Sequence, residues 1–172
     1  FTLSLDAMGG DAAPAIVVKG AALAHVRYPS VRFQLHGDEG QITPLLAAEP
    51  GLRECSTIVH TTEVVTNDDK PSQVIRSGRQ TSLWKAIEAV KAGEAAGVVS
   101  AGNTGALMAM AVLIMRTLPG VHRPAICCLL PTKVGESAML DLGANAQCDA
   151  RNLVEFAVMG EAYHRAAMGV AR

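Results

Sequence analysis

VVSAGNTGALMAMAV, residues 98–112, is the stretch on which the fold turns. An apolar run stops at Ser100, Gly102 and Gly105 bracket Asn103-Thr104, and an Ala/Met/Leu-rich run follows. The pattern is a short strand leading through a tight loop into a helix. Two readings of the loop are open. It is a turn in which Asn103 or Thr104 caps the next helix. Or it is an anion loop, in which the glycines allow close approach and the free N–H groups of the first helical turn face a negative charge. Neither GxGxxG nor GxxxxGK[ST] is present, so the common dinucleotide and Walker signals are absent.

Working outward, the same strand-then-helix unit recurs. Thr2–Asp6 reads as a strand, and a helix is expected from about Pro14 to Arg27, because proline suits a first helical position. Val31–Gly37 alternates like a strand, Glu39–Ala48 reads as a short helix, and Cys55–His60 as another strand. Helices are expected over Lys70–Gly78 and Ser82–Ala92, the second burying Trp84, Ile87, Ala89, Val90 and Ala92. Thr104–Met115 follows as a helix, then strands in PAICCLLP (124–131) and SAMLDLG (137–143), and a closing helix over Arg151–Met168. Strands apolar on both faces that alternate with helices predict an α/β fold with a mainly parallel sheet covered on two sides. Residues 1–172 read as a single α/β domain, and the GVAR tail at Arg172 as a place where a longer polypeptide continues.

Ligands of open parallel sheets collect beyond the carboxyl ends of the strands. Three expected strands end in Gly-rich polar loops: LDAMGGD (Leu5–Asp11), VSAGNTG (Val99–Gly105) and LDLGAN (Leu140–Asn145). If those strands are parallel neighbours, the loops share one rim. Candidate binding residues are then Asp6, Gly9, Gly10 and Asp11 from the first loop, Ser100, Gly102 and Gly105 from the second, and Asp141, Gly143 and Asn145 from the third. Asn103 and Thr104 are the candidates for acting on substrate. Each polar residue has a plainer role as well: Asp11 as a cap near Pro14, Asp141 and Asn145 as an Asx-type turn. In Asp68–Ala86, Lys70 and Arg76 add cations suited to an anionic substrate, although a solvated charged face explains them equally.

Composition narrows the classes. The 172 residues are 49% hydrophobic and carry a net charge of −1, which argues against disorder and against a basic nucleic-acid face. Aromatics are only 3%, too few for base stacking platforms. The four cysteines lack CxxC spacing and read as small buried hydrophobes of a reducing cytosol; the five histidines form no HxxxH or HxH pair, so no metal is expected. No signal peptide opens the chain, and the longest uncharged apolar run, Ala106–Met115, is far too short to span a bilayer. No Ser-His-Asp arrangement, GxSxG or Cys-His neighbour is visible, so an enzyme built on this chain works without a protein nucleophile.

Taken together, LSLDAMGGD, KPSQVIRSGRQTSLWKA, VSAGNTGALMAMA, RPAICCLLP and LDLGANAQCD resemble, in order and spacing, the bacterial acyl-(acyl carrier protein):phosphate acyltransferase family of phospholipid synthesis. The likeness runs over essentially the whole chain and implies the N-terminal half of a family member. It implies a three-layer α/β/α sandwich like that of isocitrate and isopropylmalate dehydrogenases, and no cofactor. It also implies transfer of a long-chain acyl group from acyl carrier protein to inorganic phosphate, giving acyl phosphate. Expected partners are acyl carrier protein, phosphate and a second copy in a homodimer, with no nucleic acid. The expected location is the cytoplasm, with room for peripheral contact at the inner face of the membrane. Two other readings stand beside it: a nucleotide-dependent dehydrogenase of the isopropylmalate type, and a non-catalytic acyl- or anion-binding module.

Overall fold

The computed structural model describes residues 1–145 and 147–169. They form two compact units, Phe1–Arg116 and Thr117–Arg172.

The first unit runs β1 (Thr2–Asp6), α1 (Ala15–Arg27), β2 (Arg32–Gly37), α2 (Glu39–Ala47), α3 (Pro50–Glu54), β3 (Ser56–His60), α4 (Pro71–Ser77), a 3-10 turn (Gly78–Gln80), α5 (Ser82–Lys91), β4 (Gly97–Val99) and α6 (Thr104–Met115). Its four strands are all parallel, in the order β3-β2-β1-β4. Expected and observed elements agree within a few residues, apart from α3, a five-residue helix opened by Pro50.

The topology explains the layers. From β1 the chain steps to β2 and β3 in one direction, then crosses back past β1 to β4. Crossovers between parallel strands keep one hand, so reversing direction puts the connecting helices on the opposite face. One core accordingly joins Phe33 and Leu35 of the sheet to Val18 and Ala21 of α1, Ile42 and Leu46 of α2, and Leu52 of α3. The other joins Val74, Leu83, Trp84 and Ile87 to Ala106, Met110 and Ile114, with Val98 packed against it. Full burial of a side chain such as Leu35 or Ile42 contributes about 2 kcal/mol.

The strands are not apolar on both faces. Residues of one parity on β1 and β2, Ser4, Asp6, Gln34 and His36, are paired in register and lie on the face toward α5. Ser4 Oγ donates to the Ala86 carbonyl at 2.9 Å and Asp6 accepts from Ser82. The buried side of α5 holds Trp84, Ile87 and Ala89 as expected, together with Ser82, Leu83 and Ala86, whereas Val90 is half-buried and Ala92 exposed.

The second unit contains β5 (Cys127–Thr132), β6 (Gly135–Leu140) and α7 (Ala150–Met168). β5 and β6 form an antiparallel two-stranded sheet. The expectation that the strand before LDLGAN is a parallel neighbour of the other two is therefore corrected. Only Lys133 and Val134 separate β5 from β6, and so short a link permits a hairpin but never a parallel crossover. No helix among the described residues is long and apolar enough to cross a membrane.

Candidate functional site

β1 and β4 are adjacent, and the chain leaves them toward opposite faces of the sheet. That makes their carboxyl ends the topological switch point, the place where open parallel sheets bind ligands. Two of the three Gly-rich loops meet there. A Cβ on Gly102 would lie 3.2 Å from the Gly9 Cα, and one on Gly10 would lie 3.1 Å from the Ala101 carbonyl oxygen. Gly10 also has φ +104°, which a side chain would strain. Gly9 is tighter still: a Cβ would fall 2.4 Å from Asp6 Oδ2 and 2.8 Å from Ser100 Oγ. The glycines are there so that the two backbones can touch.

Beneath that contact, Asp6 is 3% exposed and accepts two short hydrogen bonds. Ser82 Oγ donates to Oδ1 at 2.6 Å and Ser100 Oγ donates to Oδ2 at 2.7 Å. Ser100 Oγ in turn accepts the Gly102 N–H at 3.1 Å. The Gly102 amide is thus occupied within the loop.

Asn103 caps α6. Its Oδ1 accepts the Ala106 N–H at 3.0 Å, and its backbone carbonyl accepts the Leu107 N–H at 3.0 Å. The N–H groups of Thr104 and Gly105 open the helix and have no protein acceptor among the described residues. Both residues are exposed, so these two donors and the positive end of a twelve-residue helix face solvent at the switch point. The other end of the Asn103 side chain is also engaged. Its Nδ2 donates toward the carbonyls of Thr66, Asn67 and Asp69 at 3.1, 3.3 and 3.0 Å.

Those carbonyls belong to a strap, residues 61–70, between β3 and α4. Thr66 donates to Asp69 through both its N–H and its hydroxyl, and Asn67 Nδ2 donates to Asp11 Oδ1 at 2.8 Å. The strap is therefore tied to both rim loops at once. Its last residue, Lys70, is exposed and precedes Pro71, whose Cγ lies 2.9 Å from where a Gly105 Cβ would be. Lys70 accordingly sits beside the first turn of α6. Arg76 is exposed on the last turn of α4, about 9 Å further along that helix. Behind the rim, an apolar cavity of about 270 Å³ between α1, β1 and β4 is bounded by Leu3, Leu5, Phe33 and Val99 and reaches Asp6 and Ser100.

His36, the register partner of Asp6, is 2% exposed, and neither ring nitrogen has a hydrogen-bond partner. Burial, with a smaller contribution from the nearby Lys85 ammonium, lowers its pKa from 6.5 to about 4. It is a neutral imidazole at physiological pH.

The family model described as "Fatty acid synthesis protein" matches residues 1–172. The chain belongs to the fatty acid synthesis protein family. Relatives include the "Phosphate acyltransferase" of Rhodospirillum rubrum, 63% identical over 172 residues, which are all of this chain and 49% of that protein. The proteins of the same name from Paramagnetospirillum magneticum and Rhodospirillum centenum are 59% and 56% identical, over 98% and 99% of this chain and 48% of each relative. The chain thus spans about half the length of the curated relatives it matches.

In this family member the third Gly-rich loop lies in the second unit. Its residues form the turn that the plainer reading describes: Asp141 Oδ2 accepts the Asn145 N–H at 2.9 Å, Asn145 Nδ2 donates to the Pro124 carbonyl at 2.9 Å, and Gly143 has φ +78°. The cysteine reading is corrected in part. Cys55 is buried, but Cys127 and Cys128 are half-buried and Cys148 is exposed. Cys55 Sγ also lies 3.4 Å from His25 Nδ1, a neighbour thirty positions away that no spacing rule reveals.

Sequence reasoning missed Ser82 and the strap. Ser82 follows Thr81, whose hydroxyl caps α5 by accepting the Trp84 N–H at 3.3 Å, so the TS pair reads as a helix start and hides the second hydroxyl's link to Asp6. The strap's role rests on its backbone carbonyls, which side-chain identity does not reveal.

Proposed function

We propose that the protein transfers a long-chain acyl group from acyl carrier protein to inorganic phosphate, releasing acyl phosphate for phospholipid synthesis. The observation that carries this reading is the meeting of the two Gly-rich loops at the switch point, beside the free first-turn N–H groups of α6, in a chain whose relatives are named phosphate acyltransferase. Phosphate is held by the Thr104 and Gly105 N–H groups, with Lys70 as its nearest cation and Arg76 as a more distant one. Gly9, Gly10 and Gly102 let the loops close on it, while Asp6, Ser100 and Asn103 hold the backbone in place. Asp11 acts through the strap, and Asp141, Gly143 and Asn145 act as a turn.

Phosphate needs no activation by a protein nucleophile, because its own oxygen attacks the thioester carbonyl carbon. The carbonyl oxygen gains the negative charge in the tetrahedral intermediate. Collapse breaks the C–S bond, and the carrier thiolate leaves and takes up the proton carried in by phosphate. The protein's part is to hold two reactants in line and to aim N–H dipoles at the developing charge. The apolar cavity behind Ser100 suits the first carbons of the acyl chain. Four parallel strands with helices on both faces support the three-layer sandwich of the isocitrate and isopropylmalate dehydrogenase kind. A homodimer in the cytoplasm, touching the inner face of the membrane peripherally, completes the proposal.

The test is consumption of palmitoyl carrier protein by the full-length enzyme, with and without phosphate. Phosphate-dependent release of free carrier thiol, together with an acyl product trapped by hydroxylamine, is expected. Binding of the carrier protein without thiol release rejects the enzyme and favours the binding module.

A further inference from the structure

We propose that Ser82 is a positioning residue for phosphate: through Asp6 and Ser100 it sets the conformation of the loop that opens α6. The inference rests on the reading above for its kinetic consequence, and on geometry alone for its structural one.

The chain of contacts is continuous and directional. Asp6 sits at the carboxyl end of β1, 3% exposed, and no lysine or arginine forms an ion pair with it among the described residues. What compensates the carboxylate is two hydroxyls at 2.6 and 2.7 Å. A carboxylate has no hydrogen to give, so both serines must donate. Once Ser100 spends its hydrogen on Asp6, only its lone pairs remain, and one of them takes the Gly102 N–H. Gly102 is the residue before the Asn103 cap, so this bond sets where the Thr104 and Gly105 donors point.

Ser82 fixes the other end. It is 1% exposed on the first residue of α5, a helix anchored in the second core by Leu83, Trp84 and Ile87. Its bond holds Asp6 Oδ1 to that rigid element. Without it the buried carboxylate has one donor left, and rotation about Cβ–Cγ to recover a partner misaligns Oδ2 from Ser100. A missing hydroxyl at position 82 is thereby felt two bonds away, at a backbone amide it does not touch.

Ser4 supplies a matched control. It lies on the same strand and the same face, is fully buried, and ties β1 to α5 by donating to the Ala86 carbonyl, yet it makes no hydrogen bond to Asp6 or the loop. In the full-length protein both Ser82→Ala and Ser4→Ala should lose stability, Ser82→Ala the more because its acceptor is charged. Only Ser82→Ala should raise the KM for phosphate, about five- to tenfold, less than the tenfold or more carried by a direct hydrogen bond to a charged group, because the effect is relayed through Asp6 and Ser100. The KM for the acyl carrier substrate should stay within twofold of wild type. Ser82→Cys, similar in volume with a weaker donor, should shift phosphate KM in the same direction by less, and it serves if the alanine variant does not fold. Hydrogen exchange at the Gly102 amide should accelerate about tenfold in Ser82→Ala and not in Ser4→Ala.

An unchanged Gly102 exchange rate overturns the inference whether or not the enzyme is active. So does an active wild type in which Ser82→Ala keeps its phosphate KM, or in which Ser4→Ala changes that KM equally. A wild type with no phosphate-dependent acyl transfer rejects the functional reading instead, and the exchange measurement still decides the relay.

Discussion

Asn103 is the residue at which loop, helix and strap are tied together, and two substitutions separate its duties. Asn103→Ala removes the α6 cap, worth about 1 kcal/mol. It also removes the amide that faces the carbonyls of Thr66, Asn67 and Asp69. An amide has two hydrogens, so those contacts amount to two hydrogen bonds, about 1 kcal/mol each. The expected total is about 3 kcal/mol. Asn103→Asp keeps the cap, because aspartate and asparagine cap equally well. It loses both donors and aims a carboxylate at three carbonyl oxygens, so the loss of about 2 kcal/mol falls on the strap alone.

That difference is measurable locally. Releasing the strap by about 2 kcal/mol should accelerate its amide exchange about 30-fold at Thr66 and Asp69, whose N–H groups are bonded within the strap. Exchange mass spectrometry over residues 63–73, alongside urea unfolding, reads both effects. Phosphate KM should rise in both variants, because the released strap carries Lys70 away from the first turn of α6. The reasoning is refuted if Asn103→Asp exchanges like wild type in the strap, or if it destabilises the protein as much as Asn103→Ala.

Three further outcomes follow from the same geometry. Gly9→Ala places a methyl 2.4 Å from Asp6 Oδ2 and should cost about 2–3 kcal/mol by urea denaturation; a change below about 0.5 kcal/mol shows that the two loops are not held in contact. Lowering the pH should destabilise the protein through His36. Its pKa is about 4 folded and 6.5 unfolded, so below pH 6.5 the unfolded chain binds a proton that the folded one refuses; the loss grows down to about pH 4 and totals about 3 kcal/mol. The urea midpoint of wild type should fall relative to that of His36→Leu as the pH drops from 7 to 4.5, and parallel pH profiles would disprove this. Lys70→Gln should raise phosphate KM up to about fivefold, ~1 kcal/mol for an exposed ion contact, and the effect should fade in high salt; salt-independent loss would assign Lys70 a structural role.

Much of the first unit is legible in its residues. The α6 boundaries follow from Asn103 as a capping side chain and from the unbroken apolar run after it, both of which are local signals. The switch point follows less directly, since periodicity says that Thr2–Asp6 and Gly97–Val99 are strands but not that they are neighbours. Three things stayed hidden for a common reason: they join residues far apart in sequence. Ser82 reaches Asp6 across 76 positions and Asn103 reaches Asp69 across 34, while the Cys55–His25 contact spans 30. The hairpin is different, because its signal was present. The five residues 132–136 between the two expected strands are too few for a parallel crossover, so length alone decides strand direction, even without an Asn-Gly or Asp-Gly pair.

Under the proposed function a buried carboxylate beside the phosphate loop looks self-defeating, since Asp6 would repel the ligand it is proposed to help hold. The hydrogen-bond directions resolve the conflict. Asp6 is met by two hydroxyls, and Ser82 belongs to the first turn of α5, so the positive end of a ten-residue helix lies against the carboxylate. Its charge is therefore compensated from the side away from α6. The Gly102 N–H, which could otherwise have turned toward phosphate, is taken by Ser100. Under the proposed function, binding then falls to the exposed Thr104, Gly105 and Lys70, while Asp6 serves as the fixed point behind the loop. A loop built this way gives up one donor to make the direction of the next two certain. For the proposed reaction, which depends on alignment rather than on a protein nucleophile, direction is the more valuable property.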